Sequence, residues 1–312
     1  MRPTTFGAAN IMGNMALKRV LSIAPVAACM ALLVACGGNG DGQQPVNDSL
    51  TPPPAKETEI IGVGGKFFSV PSPVQAALAI KQAGLKYQKE LMAPLEKGDA
   101  MTARMAQATL LGAFGADMSY ATVHKDGQRA LATLLAIEKL GAKLELSNAF
   151  DKALVERFKA NMSNEDSLLR FSGMAFRAAD QYLKTNDAQD VSAWIIAGGW
   201  IEGMHLTLTD PSASKSAGII ARIGEQKGTL DGLLAIVDGI NQDGQSNALL
   251  SGLKELRRAM EGIKTTYVFE APVTDAAAKT TFINSKTTAE VSAEQLAEIA
   301  AKVAALRNMI LA

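Results

Sequence analysis

The chain has 312 residues, 48% of them hydrophobic and 20% charged, with 31 basic side chains balancing 31 acidic ones. That balance excludes a strongly basic nucleic-acid binder, and the hydrophobic share excludes a charged, disordered chain. Two cysteines are too few for a disulfide-built scaffold, so the fold must rest on its apolar core.

The first 35 residues read as an export leader. Lys18 and Arg19 form a short basic region, and Val20 to Val34 is almost wholly apolar. The apolar run is shorter than the roughly 20 residues a membrane span needs. It ends in "LLVACGG", where Leu33, Val34 and Ala35 precede Cys36 in the large-small-small order that resembles a bacterial lipobox. The resemblance implies lipidation of Cys36. The rival "VAAC" at Cys29 would leave a very short apolar stretch before the cut and a greasy "MALLVA" after it. "MALKRVLSIAP" begins like a normal lipoprotein leader, so Met15 is an alternative start to Met1. Gly37, in place of Asp, follows the cysteine and resembles an outer-membrane sorting signal. Removing the leader takes away Arg2, Lys18 and Arg19, leaving 28 basic against 31 acidic residues and no free thiol.

Residues 36–59 are rich in Gly, polar residues and Pro, with Pro52 to Pro54 consecutive, and read as a tether that cannot bury a core. The domain is expected over 60–312. It opens with "IIGVGGKFFSVPSP", apolar but broken by glycine and proline, which reads as an extended edge segment. Helix-favouring residues then dominate, and aromatics make up 5% of the chain. Helices are predicted at 73–97, 100–123, 126–142, 148–161, 165–185, 190–208, 213–240, 247–264 and 292–311. Asp99, Ser163 and Ser246 can cap first turns, Asp210 precedes Pro211 at a helix start, and Ser292 with Gln295 forms a capping box. In the last helix Leu296, Ile299, Val303, Leu306 and Ile310 make a one-sided apolar stripe. Between the last two helices, Thr, Val, Tyr and Phe predict two short strands near 265–270 and 280–285, pairing with each other or with "KFFSV". The fold class is therefore all-α, a bundle of about nine helices with a short β-hairpin before the C-terminal one.

Two helices are apolar nearly all round, as central helices of a large domain are. One carries Asp117, Tyr120 and His124 in its C-terminal half; the other carries Glu202 and His205 within "AGGWIEGMHL". Both contain small residues that let backbones approach closely, Gly112 and Gly115 in one, Gly198, Gly199 and Gly203 in the other. Residues three or four apart share a helix face. If the two faces meet, Glu202, His205, Asp117, Tyr120 and His124 form one buried polar cluster. The Glu-x-x-His spacing also occurs in di-iron bundles, but those need a second such motif, and Ala121 stands where the acid paired with His124 would be. A structural hydrogen-bond network is the commoner fate of such groups, and a mononuclear metal or small polar ligand is the other. "GVGGK" at 62–66 lacks the full phosphate-loop frame, and "NQDGQ" at 241–245 lacks the first acid and the final Glu of a calcium loop. No nucleophile constellation can be assembled.

The stretches "VPSPVQAALAIK", "GADMSYATVH", "NEDSLLR", "AGGWIEGMH" and "TTFINSKTTAEVSAEQLAEIAAKVAALRN" resemble, in order, a group of helical lipoproteins of Bacteroidetes and related bacteria. The resemblance implies an exported, lipid-anchored helical domain and supplies no catalytic residues. The expected function is an outer-membrane lipoprotein with no cofactor beyond the lipid on Cys36, whose domain binds or scaffolds an envelope protein partner and not nucleic acid. The other reading is a metal- or small-ligand-dependent enzyme or binder using the Glu202/His205 face.

Overall fold

Position 198 cannot hold anything larger than glycine, and this determines how the middle of the domain is assembled. The computed structural model describes residues 58–63, 66–146, 152–161 and 188–312. Helix α3 (Arg104–Val123) and helix α6 (Gln189–Leu208) cross at contact distance: a Cβ on Gly112 would overlap the carbonyl oxygen of Ile195, and one on Gly198 that of Thr109. Every residue from Gln107 to Val123 is buried, and on α6 nearly all from Val191 to Leu206 are. The two helices read as apolar all round are the centre of the domain.

Around this pair lie α1 (Pro73–Gln82), the single turn α2 (Lys97–Ala100), α4 (Gly127–Lys143), α5 (Lys152–Ala160), α7 (Ala217–Gly239), α8 (Asn247–Ala259) and α9 (Ala293–Ile310). The described residues thus contain nine α-helices and form a helical bundle. The predicted stripe of α9 is buried at all five positions, against α8 and α6. Caps form at Ser72, Asp126, Ser216 and Ser292, each accepting from a first-turn amide. Gln295 does not complete a capping box; its amide donates to the Ala259 carbonyl at 3.1 Å.

The predicted helix over 73–97 stops at Gln82. Gly84, at φ +72°, closes it with a paired turn in which Leu85 N–H reaches Ile80 O and Gly84 N–H reaches Lys81 O. From there to Met101 the chain is irregular apart from a 3₁₀ turn at Lys89–Leu91 and α2. Asp99 lies inside α2 and caps nothing; α3 begins at Arg104 with no side-chain cap. Ser246 does not cap α8 either: its hydroxyl accepts from Trp194 Nε1 at 2.9 Å. Asp210 caps a 3₁₀ turn at Pro211–Lys215 before α7 begins. The helix predicted at 148–161 is seen as α5. The one at 165–185 with its Ser163 cap, the leader, Cys36 and the tether as far as residue 57 lie outside the described residues.

Strand β1 (Thr58–Val63), which starts two residues inside the expected tether, pairs antiparallel with β2 (Lys66–Pro71). "KFFSV" therefore pairs with the segment before it and not with the C-terminal strands. Those strands make a two-part ribbon: β3 (Lys264–Val268) pairs with β6 (Lys286–Glu290), and β4 (Val273–Asp275) with β5 (Thr280–Phe282). Of the strand expected near 280–285 only β5 forms; residues 283–285 link it to β6, which lies beyond the expected range.

Replacing Gly112 or Gly198 by Ala is expected to lower unfolding free energy by about 3 kcal/mol, the upper end of overpacking costs, since backbone and not a movable side chain occupies the space. Urea unfolding followed by circular dichroism measures it. A gain of roughly 1 kcal/mol, as helix propensity alone would give, would contradict the close crossing.

Candidate functional site

Asp117 and Glu202 project from the two central helices, and both are fully buried. An ionised carboxylate in such a place needs a partner or gives up its charge. Glu202 has one: Arg307, on the flank of the α9 stripe, aims Nε at both carboxylate oxygens, at 3.0 and 2.8 Å. Arg307 Nη2 donates to the Leu91 carbonyl at 2.7 Å. Asp117 Oδ2 accepts from the Ala93 amide at 2.8 Å, and Arg129 Nη2 donates to the Ala93 carbonyl at 2.7 Å.

The carboxyl groups of Asp117 and Glu202 are close enough to act on one another's ionisation. Two neighbouring carboxyls out of water favour keeping one of them protonated. Burial, and then the Glu202 charge, push Asp117 well above the ordinary carboxylate range. Burial pushes Glu202 up as well, while Arg307 and the hydrogen bond from Asp117 pull it back. The pair therefore holds one proton on Asp117, with Glu202 ionised toward the guanidinium. Asp117 Oδ1 is buried with no hydrogen-bond partner, which adds to the cost of ionising this carboxyl.

Tyr120 faces the same irregular segment, not Glu202. Its hydroxyl donates to Lys86 O at 3.1 Å and accepts from the Gln88 amide at 3.0 Å. Its ring packs with Tyr87 and His124, with centroids 4.7 to 5.2 Å apart within this trio. Tyr87 in turn donates to Asp126 Oδ2 at 2.8 Å. His205 is at the margin: it is partly buried, its Nδ1 is 3.3 Å from Thr209 Oγ1, and burial followed by the Arg307 charge lowers its pKa to about 4. Of the five residues expected in one cluster, the structure joins Asp117 with Glu202 and Tyr120 with His124. Both groups are bound to the segment 86–93, and His205 lies at their edge, beside the Leu91 backbone and the Arg307 charge.

Sequence reasoning missed Arg307, Arg129 and Tyr87. Arg307 was findable, since it follows Val303 by four residues along an apolar stripe, where an arginine calls for a buried acid.

The opposite side of α6 borders a narrow slot of about 50 Å³ between α1, α6 and α7, lined by Gly199, Trp200, Gly203, Arg222 and Gln226 among others. Neither Glu202 nor His205 lines it. Among the described residues no group of three or more His, Cys, Asp or Glu side chains is arranged to hold a metal ion, and no helix is long and apolar enough to cross a membrane. The chain matches no protein-family model, no curated protein and no solved structure.

Glu202→Gln, which leaves Arg307 buried without a counter-charge, is expected to cost about 3 to 5 kcal/mol. Asp117→Asn can still accept from Ala93 and donate to Glu202, and should cost no more than about 1 kcal/mol at neutral pH. The pH dependence separates the groups. Asp117 is raised on folding from its usual 3.8, so its contribution is complete below that value and is lost as pH rises through the raised one. His205 is lowered from 6.5 to about 4, so its contribution is present above 6.5 and is lost as pH falls toward 4. In urea titrations across pH, Asp117→Asn should flatten the first limb and His205→Gln the second. An unchanged first limb in Asp117→Asn would place the proton elsewhere.

Proposed function

We propose that this chain is a lipid-anchored envelope protein, held at the outer membrane through Cys36, whose helical domain serves as a rigid body for binding or scaffolding an envelope partner. One observation carries the binding part of this reading. Among the described residues seven large apolar side chains are exposed, and six of them, Tyr267, Val268, Phe269, Val273, Phe282 and Ile283, fall in the ribbon β3–β6. A concentration of this kind on a surface otherwise charged and polar is how interaction sites differ from scattered exposed apolar residues. Every residue from Lys264 to Ile283 is exposed, so the ribbon stands off the bundle as an arm.

The buried cluster supports the same division of labour. Asp117, Glu202, Arg307, Arg129 and Tyr120 direct their hydrogen bonds to one another and to the backbone of residues 86–93. Their chemistry is what a partly buried irregular segment needs to stay folded. The anchor rests on the lipobox order "LVAC" and on the glycine and proline content of residues 37–59, which would hold the domain off a bilayer.

Labelling growing cells with radioactive palmitate tests the anchor. The wild-type chain should take up label and sediment with membranes; Cys36→Ala should lose both. Label retained by Cys36→Ala would overturn the assignment of Cys36.

A further inference from the structure

The geometry points to a second copy of this chain as the partner of the arm, docked edge to edge along residues 264–270 in antiparallel register centred on Tyr267. This inference rests on the reading of the arm as a contact surface and says what the arm contacts.

A two-stranded ribbon is marginal in water, and this one has little to lean on. At its base Thr265 and Ala289 rest against Gly224 of α7, and Thr287 and Ala289 are half-buried. β6 thus lies on the bundle side, and β3 is the outer strand, exposed at every position. β3 pairs only with β6, so its other edge presents unpaired backbone groups. Their direction follows from Glu270, whose N–H and C=O both turn inward to Ser285 Oγ, each at 3.1 Å. By the alternation of an antiparallel ladder, Thr265, Tyr267 and Phe269 turn theirs outward.

The outer edge reads Lys264-Thr265-Thr266-Tyr267-Val268-Phe269-Glu270, and it is complementary to itself when reversed. Centred on Tyr267, the pairing sets Lys264 opposite Glu270 of the other copy, Thr265 opposite Phe269, Thr266 opposite Val268 and Tyr267 opposite Tyr267. The three outward-turned residues then meet the three outward-turned residues of the partner, which is the match an antiparallel ladder requires. Both charges of the edge find an opposite charge, and both copies do so at once, as a two-fold interface demands. One face of the new sheet gathers two tyrosines and two phenylalanines, with Tyr267 and Phe269 at present 64% and 69% exposed. The other gathers the Thr–Val pairs and the two ion pairs. Two marginal ribbons become one four-stranded sheet.

Charge reversal tests the register. The full-length chain, purified in detergent micelles, should sediment as a dimer at micromolar concentration. Lys264→Glu and Glu270→Lys each turn two attractive cross-copy pairs into repulsive ones and should weaken dimerisation roughly tenfold or more. The double variant Lys264→Glu/Glu270→Lys should restore it. Within one chain Lys264 lies opposite Glu290, and Glu270 is 4.0 Å from Lys286, so the double variant keeps every intrachain clash of the singles. Rescue can therefore come only from pairing between copies. A wild-type chain that stays monomeric, or a double variant no better than the singles, overturns the self-pairing. The broader reading is read separately, from a photo-crosslinking residue at position 269 in intact membranes. Capture of a different protein there overturns self-pairing and keeps the arm as a contact surface; capture of nothing removes both.

Discussion

Satisfying the backbone of an irregular, partly buried segment is the constraint on which the rest of this domain depends. Between Gly84 and Met101 the chain crosses the flank of the domain with almost no regular structure, touching the core at Leu85, Met92, Ala93, Gly98 and Met101, and its amides and carbonyls have no ladder to pair with. Three of the surrounding helices, and the turn after α6, send in side chains to take some of them. α3 supplies Asp117 for Ala93 N–H and Tyr120 for Lys86 O and Gln88 N–H. α4 supplies Arg129 for Ala93 O, and Lys143 for Gly98 O and Asp99 O. α9 supplies Arg307 for Leu91 O, and Asp210 takes Lys86 N–H. The charged residues of the core are there because a segment without secondary structure is there. Their charges then have to be balanced among themselves: Glu202 is paired with Arg307, and burial together with the Glu202 charge favours the neutral form of Asp117.

This explains which parts of the molecule could be read from the sequence. A helix buried on all sides has a local signature, unbroken apolar and small residues, and α3 and α6 carried it. The meeting of Asp117 with Glu202 followed from the same signature, since two acids on two central helices have few other places to go. The end of α1 was written in "KQAGLK", but helix-favouring residues on both sides outweighed the single glycine, and the helix was expected to run on to residue 97. What the irregular segment demands of Arg129, Lys143 and Arg307 is a property of backbone groups 36 to 216 residues away, which no periodicity expresses. His205 follows Glu202 by three residues, about 60° away around the helix, so it shares the face of Glu202 and lies at its half-buried edge beside Arg307.

The ribbon shows the opposite balance. Its strands were signalled by composition, by Thr, Val, Tyr and Phe in a chain otherwise poor in aromatics, but its extent and pairing were not. A short hairpin folded against the bundle would have alternated buried and exposed residues. Here the alternation is visible only in β6, whose inner positions touch α7, and it is absent from β3. The apolar side chains of the outer strand were selected for something other than the core of their own domain.

The ion pair between Glu202 and Arg307 also sets an order on how the chain can acquire its structure. Its two halves are 105 residues apart, and the arginine is in the last helix. A chain that packed α3 against α6 without α9 would seal two acids into the interior with no Arg307 to face them. Closing the core without α9 therefore costs more than closing it with α9 in place. Completion of the domain is reported to its centre by one guanidinium, which arrives late and makes the final compaction favourable.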